Sequence, residues 1–252
     1  KLREMSFANI IGMVKEYRSL YGFYSDDLVG DYKRTIDRLQ KEQRAAIEQQ
    51  FSSFGNVLYS ELHDFLNHGH EWIAAYDESL ASVHGLDFTD LICGVHRLFQ
   101  DPVVRERWRS RYSYISVDEM QDTGVLEYKV LEMLWEGNHV LLCGDYFQTI
   151  YEWRGSDPFR LLKQFDADFK PLKIIFYENY RSNWTLFTMA FKTLQNMFPD
   201  LVGSIYTELP RANSERKGKP VLIKGCKNSY LEGRYIYEAI CALPKDANIG
   251  VL

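Results

Sequence analysis

The chain has 252 residues, 46% hydrophobic and 26% charged, an ordinary balance for a soluble globular protein with room for one large domain or two small ones. No apolar run approaches the ~20 residues that span a bilayer, and no signal-peptide pattern follows Lys1, so no membrane partner is expected. The formal charge of −5 excludes a global attraction for nucleic acid, so any such contact must come from a local groove.

Residues from about Phe7 to Gly85 read as helical, with few strand signals. Tyr32, Ile36, Leu39, Ala46, Ile47 and Gln50 fall close to one helical face, with charges elsewhere. Gly22, Gly30, Gly55, Gly69 and Gly85 are expected to divide the stretch into several short helices. No internal repeat or low-complexity segment is visible.

After Gly85 the pattern changes. Tyr114 to Val117 is a short apolar run ending in Asp118 and Glu119, and Val140 to Cys143 is a second, ending in Gly144-Asp145. Ile174 to Tyr177 is a third, followed by Asn179-Tyr180-Arg181-Ser182. Between the first two runs, Tyr128, Leu131, Leu134 and Trp135 line one side of a helix that stops near Gly137. Another helix is expected from about Asn183 to Met197, with Ser182 as its N-cap and Leu186, Phe187, Ala190 and Leu194 inward. Leu209 to Pro220 reads as a loop. Val221 to Ile223 and Ile249 to Leu252 read as strands around a helix near Leu231 to Leu243. Apolar strands alternating with amphipathic helices predict an α/β fold whose parallel sheet is covered on both faces. In such sheets functional groups gather beyond the carboxyl ends of the strands, and all three polar clusters sit there.

Several features have two readings. Cys93, Cys143, Cys226 and Cys241 include no CxxC pair, which points to reduced, buried thiols in a cytosolic protein rather than disulfides or a zinc site. The 17 Tyr, 15 Phe and 5 Trp serve either core packing or base stacking, depending on position. His63, His68 and His70 lack the partners of a metal site and are expected at the surface. Asp87 and Asp90 suit helix capping. Arg105, Arg107, Arg109 and Arg111 line either a DNA path or a solvated face.

A buried strand ending in Asp-Glu can present a magnesium partner and a base. Asp118 would hold Mg²⁺, through water, because that ion keeps much of its hydration shell. Glu119 would orient and deprotonate an attacking water, which requires a carboxylate within hydrogen-bond reach. A solvated acidic strand end explains a lone match equally well.

The match is not alone. Asp118 to Thr123 (DEMQDT) resembles the DExQDT signature of the UvrD/PcrA-like superfamily 1 DNA helicases, and Gly144 to Gly155 (GDYFQTIYEWRG) resembles their GDxxQSIYxWRG motif. Asn179 to Ser182 matches their NYRS, and Leu86 to Ile92 (LDFTDLI) resembles their DFxDL segment. The motifs occur in the family's order and cover Leu86 to Leu252; before Gly85 the likeness is positional, since the family has a helical insertion there.

This resemblance implies a RecA-like parallel sheet, with residues 1–85 as an inserted helical subdomain of the first motor lobe, 86–172 as the second half of that lobe and 173–252 as the start of the second lobe. It implies ATP and Mg²⁺ as cofactors, and single-stranded DNA and single/double-strand junctions as partners. Gln148 would contact the γ-phosphate and attacking water, a task suited to an amide that donates and accepts at once. Tyr151 and Trp153 would stack on bases, the former being equally well a core aromatic. Arg154 would bind DNA backbone or link the lobes. Tyr180 would stack on adenine. Arg181 would act as an arginine finger, or else form a structural ion pair.

The chain departs from the family's pattern in carrying no GxxxxGK[ST] phosphate cradle. Tyr146-Phe147 stand where the family has small or acidic residues, Thr149 where it often has Ser, and Gly124 where it often has Asn. The expectation is a portion of a longer helicase, itself unable to turn over ATP. The alternatives are an ATPase-inactive helicase-like scaffold and the motor part of a RecB/AddA-like helicase-nuclease.

Overall fold

The computed structural model describes residues 2–42, 44, 47, 59–149, 158–206, 208, 210–212, 221–244 and 246–249. The chain divides into two compact units, Lys1–Pro171 and Leu172–Leu252. The result is a helix-rich α/β protein with small parallel strand pairs.

The first unit opens with helices α1 (Leu2–Tyr21), α2 (Leu28–Glu42) and α3 (Tyr59–Ser82). Gly22 ends α1 with φ +69°, a conformation that only glycine adopts freely. Gly30 and Gly69 do not break helices as expected; they lie inside α2 and α3. Gly69 instead makes room, because a Cβ there would lie 2.6 Å from the Phe65 ring. Gly55, Ala46 and Gln50 fall outside the described residues. The expected apolar face of Tyr32, Ile36, Leu39 and Ile47 is buried against Ile10 and Val14 of α1 and Phe65 and Ile73 of α3.

A buried charge cluster joins these helices to the next. Lys15 of α1 lies 2.8 Å from Asp87 and 2.5 Å from Asp90, with Asp77 of α3 at 2.9 Å in an ion pair without hydrogen-bond geometry. Asp87 and Asp90 cap helix α4 (Phe88–Leu98) as expected. Asp87 accepts from the Asp90 N–H at 2.8 Å, and Asp90 accepts from the Asp87 N–H at 3.0 Å.

Helix α5 (Pro102–Arg109) follows, started by Asp101, which accepts from the Val103 N–H at 2.8 Å, and by Pro102 in the first turn. The alternating arginines divide in use. Arg105 donates to the Phe99 carbonyl at 2.7 Å, Arg109 pairs with Glu106 and Glu136, Arg111 lies over the Trp108 ring, and Arg107 is exposed.

Strand β1 (Tyr114–Val117), helix α6 (Val125–Trp135) and strand β2 (His139–Leu142) form a parallel βαβ unit, with Val117 opposite Leu142. Period-two alternation turns Ile115, Val117, Val140 and Leu142 toward Tyr128, Leu131 and Trp135 of α6 and toward Leu161 and Phe165 of α7 (Pro158–Phe169). Trp135 meets Tyr128 and Phe165 edge-on at 5.1 and 5.3 Å. The sheet is not covered on both faces as expected. Among the described residues α6 and α7 cover one face only, while Tyr114 and Leu141 on the other stand 76% and 56% exposed.

In the second unit, β3 (Glu178–Asn179) pairs in parallel with β4 (Arg211–Ala212), accompanied by α8 (Trp184–Met197), α9 (Pro199–Ile205) and α10 (Ser229–Cys241). Two expected strands are not formed. Ile174 to Tyr177 and Val221 to Ile223 take no strand structure, because neither run is laid against a covering core: Phe176 and Leu222 are 84% and 79% exposed. Of the run Ile249 to Leu252, only Ile249 is described, outside any strand. Asn183 rather than Ser182 caps α8, accepting from the Leu186 N–H at 2.9 Å. On α8, Phe187 and Leu194 are half-buried, but Leu186 and Ala190 are exposed, which corrects the expected inward face.

Two further corrections concern titratable side chains. Cys226 and Cys241 are exposed, not buried, because both lie in the thinly covered second unit. Cys93 and Cys143 are half-buried, and burial pushes the Cys93 thiol up to about 12. His63 and His68 are exposed as expected, whereas His70 is largely covered on its helix face. No helix among the described residues is long and apolar enough to cross a membrane.

Candidate active site

The first cluster lies where β1 and β2 end side by side. Their parallel register carries both chains out of the sheet at the same edge, so Asp118-Glu119 emerges next to Gly144-Asp145. Two backbone bonds continue the alignment past the strands: Cys143 N–H donates to the Val117 carbonyl at 2.8 Å, and Met120 N–H to the Cys143 carbonyl at 2.9 Å.

Asp118 is exposed, and its Oδ1 accepts from the Glu119 N–H at 2.9 Å. Glu119 adopts φ 51° and ψ 40°, the left-handed region that a non-glycine residue enters at a cost of about 1 kcal/mol or more. This turn starts the short 3-10 segment Met120–Asp122 and buries Met120 in the core, while the Glu119 carboxylate stays exposed.

Gln121 joins the two strand ends. Its side chain is 2% exposed, donates from Nε2 to Glu119 Oε2 at 2.6 Å and accepts at Oε1 from the Asp145 N–H at 3.0 Å. Gly144 permits this, since a Cβ there would fall 2.6 Å from Gln121 Oε1. Asp145 in turn accepts from the Phe147 N–H at 3.0 Å and from Gln148 Nε2 at 2.8 Å. Glu119, Gln121, Asp145 and Gln148 thus form one hydrogen-bonded chain.

Two of the four members were not expected. Gln121, Gly144 and Asp145 all lie inside the motifs quoted above, but only their contacts reveal a task for them. The motif letters were the available signal.

The second cluster is on the second unit. Asn179 Oδ1 accepts from the Arg181 N–H at 3.1 Å and the Ser182 N–H at 2.8 Å, so it holds the loop. The Tyr180 ring is 68% exposed, and its hydroxyl donates to Glu178. That hydrogen bond to a carboxylate raises the phenol above its ordinary range. Arg181 is exposed. Tyr151, Trp153 and Arg154 lie outside the described residues.

The donor set at the first cluster suits a hard cation. Asp118 offers exposed carboxylate oxygen, which fits Mg²⁺ held mainly by water and phosphate rather than by an all-protein cage. Among the described residues no group of three or more His, Cys, Asp or Glu side chains forms such a cage.

Residues 13–170 match the UvrD/REP helicase N-terminal domain family, and the chain belongs to that family. Among its relatives are a probable DNA helicase II homolog of Mycoplasma capricolum, 31% identical over 172 residues, and DNA helicase II of Haemophilus influenzae, 32% identical over 175. Each alignment covers 68% of this chain and 23% of the relative. The ATP-dependent DNA helicase PcrA of Staphylococcus aureus is 34% identical over 149 residues, 58% of this chain and 18% of that protein. The chain therefore spans about a quarter or less of the length of these curated relatives.

Proposed function

We propose that this chain supplies part of an ATP-dependent DNA helicase or translocase that couples ATP hydrolysis to movement on single-stranded DNA, working at single/double-strand junctions. In this reading the β1–α6–β2 unit belongs to a RecA-like lobe. Residues 1–85 are its helical insertion, 86–172 its second half and 173–252 the start of a second lobe.

One arrangement carries the reading: an Asp-Glu pair at one parallel strand end is hydrogen-bonded through Gln121 to the Asp145–Gln148 loop at the next. Asp118 would hold Mg²⁺ with ATP phosphate; the metal, when bound, neutralises phosphate charge. Glu119 takes the proton of the attacking water. Gln148 exchanges its bond to Asp145 for one to that water or to the terminal phosphate, so it can report the nucleotide state to the following segment. That segment holds Tyr151, Trp153 and Arg154, the residues assigned to DNA. On the second unit, Tyr180 has an exposed ring suited to an adenine and Arg181 a permanent positive charge suited to phosphate. The cytoplasm is the compartment such a motor implies.

Glu119→Gln in the full-length protein tests the assignment. The change keeps shape and removes the base, so ATP binding persists while DNA-stimulated hydrolysis falls about a hundredfold or more. Near-normal turnover removes Glu119 from the role.

A further inference from the structure

Gln121 has no task in the reading above beyond joining two loops. Its environment specifies more. The side chain is buried to 2% exposure, yet both ends of the amide are used, the donor on Glu119 Oε2 at 2.6 Å and the acceptor on the Asp145 N–H at 3.0 Å. A residue needed only to satisfy the Asp145 N–H requires an acceptor alone. The donor end is directed at a carboxylate whose own backbone sits at φ 51°, and Gly144 leaves space for that amide by having no Cβ.

We propose that Gln121 is a positioning residue for ATP hydrolysis: its amide clamps the Glu119 carboxylate and ties it, through the Asp145 backbone, to the loop bearing Gln148. The inference rests on Glu119 being the base. An amide is the side chain that can do this, because it donates to the carboxylate and accepts from the N–H at once. A carboxyl at 121 keeps the acceptor and places a second negative charge beside Glu119. An aliphatic chain loses both ends. Holding a base to within a fraction of an ångström matters for rate, since a misplacement of about 1 Å can slow a step about a hundredfold.

The test uses Gln121→Glu and Gln121→Leu in the full-length protein, with DNA-stimulated ATPase as readout. Both variants lower kcat by about ten- to a hundredfold, while the KM for ATP moves less than about twofold, because Gln121 touches the base and not the nucleotide. Adding Gln121→Leu to Glu119→Gln leaves the residual kcat within about twofold, since the clamp then has no base to hold. A Gln121→Glu protein with undiminished kcat overturns the proposal and leaves Glu119 as base. So does a further fall, as large as in the wild-type background, when Gln121→Leu is added to Glu119→Gln; that result marks a structural role. Normal turnover in Glu119→Gln alone refutes the base assignment itself, and the positioning role with it. Gly144→Ala supplies an independent perturbation. Its Cβ displaces the amide, so it reproduces the kcat loss, and it costs less when Gln121 is already alanine.

Discussion

Replacing Lys15 by methionine separates the charge cluster of the helical region from everything the strand ends do. The Lys15 side chain is 3% exposed and faces three carboxylates at 2.5 to 2.9 Å, each 17 to 23% exposed. At an effective dielectric near 20, each such contact carries about 6 kcal/mol of attraction before desolvation is counted. Taking the ions out of water offsets most of that. Deleting one partner of a buried pair nevertheless destabilises by about 3–5 kcal/mol, because the remaining charges are left uncompensated. Water reaches the three carboxylates in part, so Lys15→Met should cost about 3 kcal/mol, measured by urea unfolding of the purified chain with far-ultraviolet circular dichroism.

The same cluster predicts a pH dependence. Burial pushes the Asp87 carboxyl up, but the Lys15 ammonium and the Asp90 N–H outweigh it and hold the group below its ordinary 3.8. Stability from such a group is fully present above about 3.8 and is lost as the pH falls through the lower folded value. Without Lys15, burial beside two other carboxylates favours protonation of Asp87, and its folded value rises above the unfolded one. The variant then gains stability as the pH falls from about 7 to about 4, while the parent does not, so the gap between them narrows. A loss below about 1 kcal/mol, or a gap constant across that range, refutes the account of Lys15 as the neutralising centre.

Two further predictions concern function. The 252-residue polypeptide has no GxxxxGK[ST] sequence to cradle the β- and γ-phosphates, so by itself it should show no DNA-stimulated ATP turnover; a steady rate of even ~1 s⁻¹ contradicts this. In the full-length protein, Trp153→Ala should weaken single-stranded DNA binding by about 1–3 kcal/mol irrespective of base sequence, with Trp153→Phe recovering part and the salt dependence little changed. Unchanged affinity with a lowered melting temperature would instead assign Trp153 to a core.

The strongest signals in the chain were local. Asp118-Glu119 after an apolar run, the α6 stripe of Tyr128, Leu131 and Trp135, the paired caps Asp87 and Asp90, and the loop-holding Asn179 each depend on residues a few positions apart. Spacing along the chain is enough to place such features, because helix and strand periods translate sequence separation directly into facing. The motif order carried the family in the same way.

What depended on distant residues was not legible. Gln121 and Gly144 are 23 positions apart, and nothing in either letter announces that one amide fills the space left by the other's missing side chain. The runs at Ile174 and Val221 have strand-like composition, but a strand forms only where neighbouring backbone and a covering layer accept it, and Phe176 and Leu222 are left exposed. Lys15 and Asp87 lie 72 positions apart, so their pairing arises only when α1, α3 and the cap of α4 converge. Sequence by itself determined the β1–α6–β2 unit, the helix caps at Asp87 and Asp90, and the polar residues that follow β1 and β2. Tertiary structure decided which of those ends share hydrogen bonds, because contact across the chain is set by packing and not by spacing.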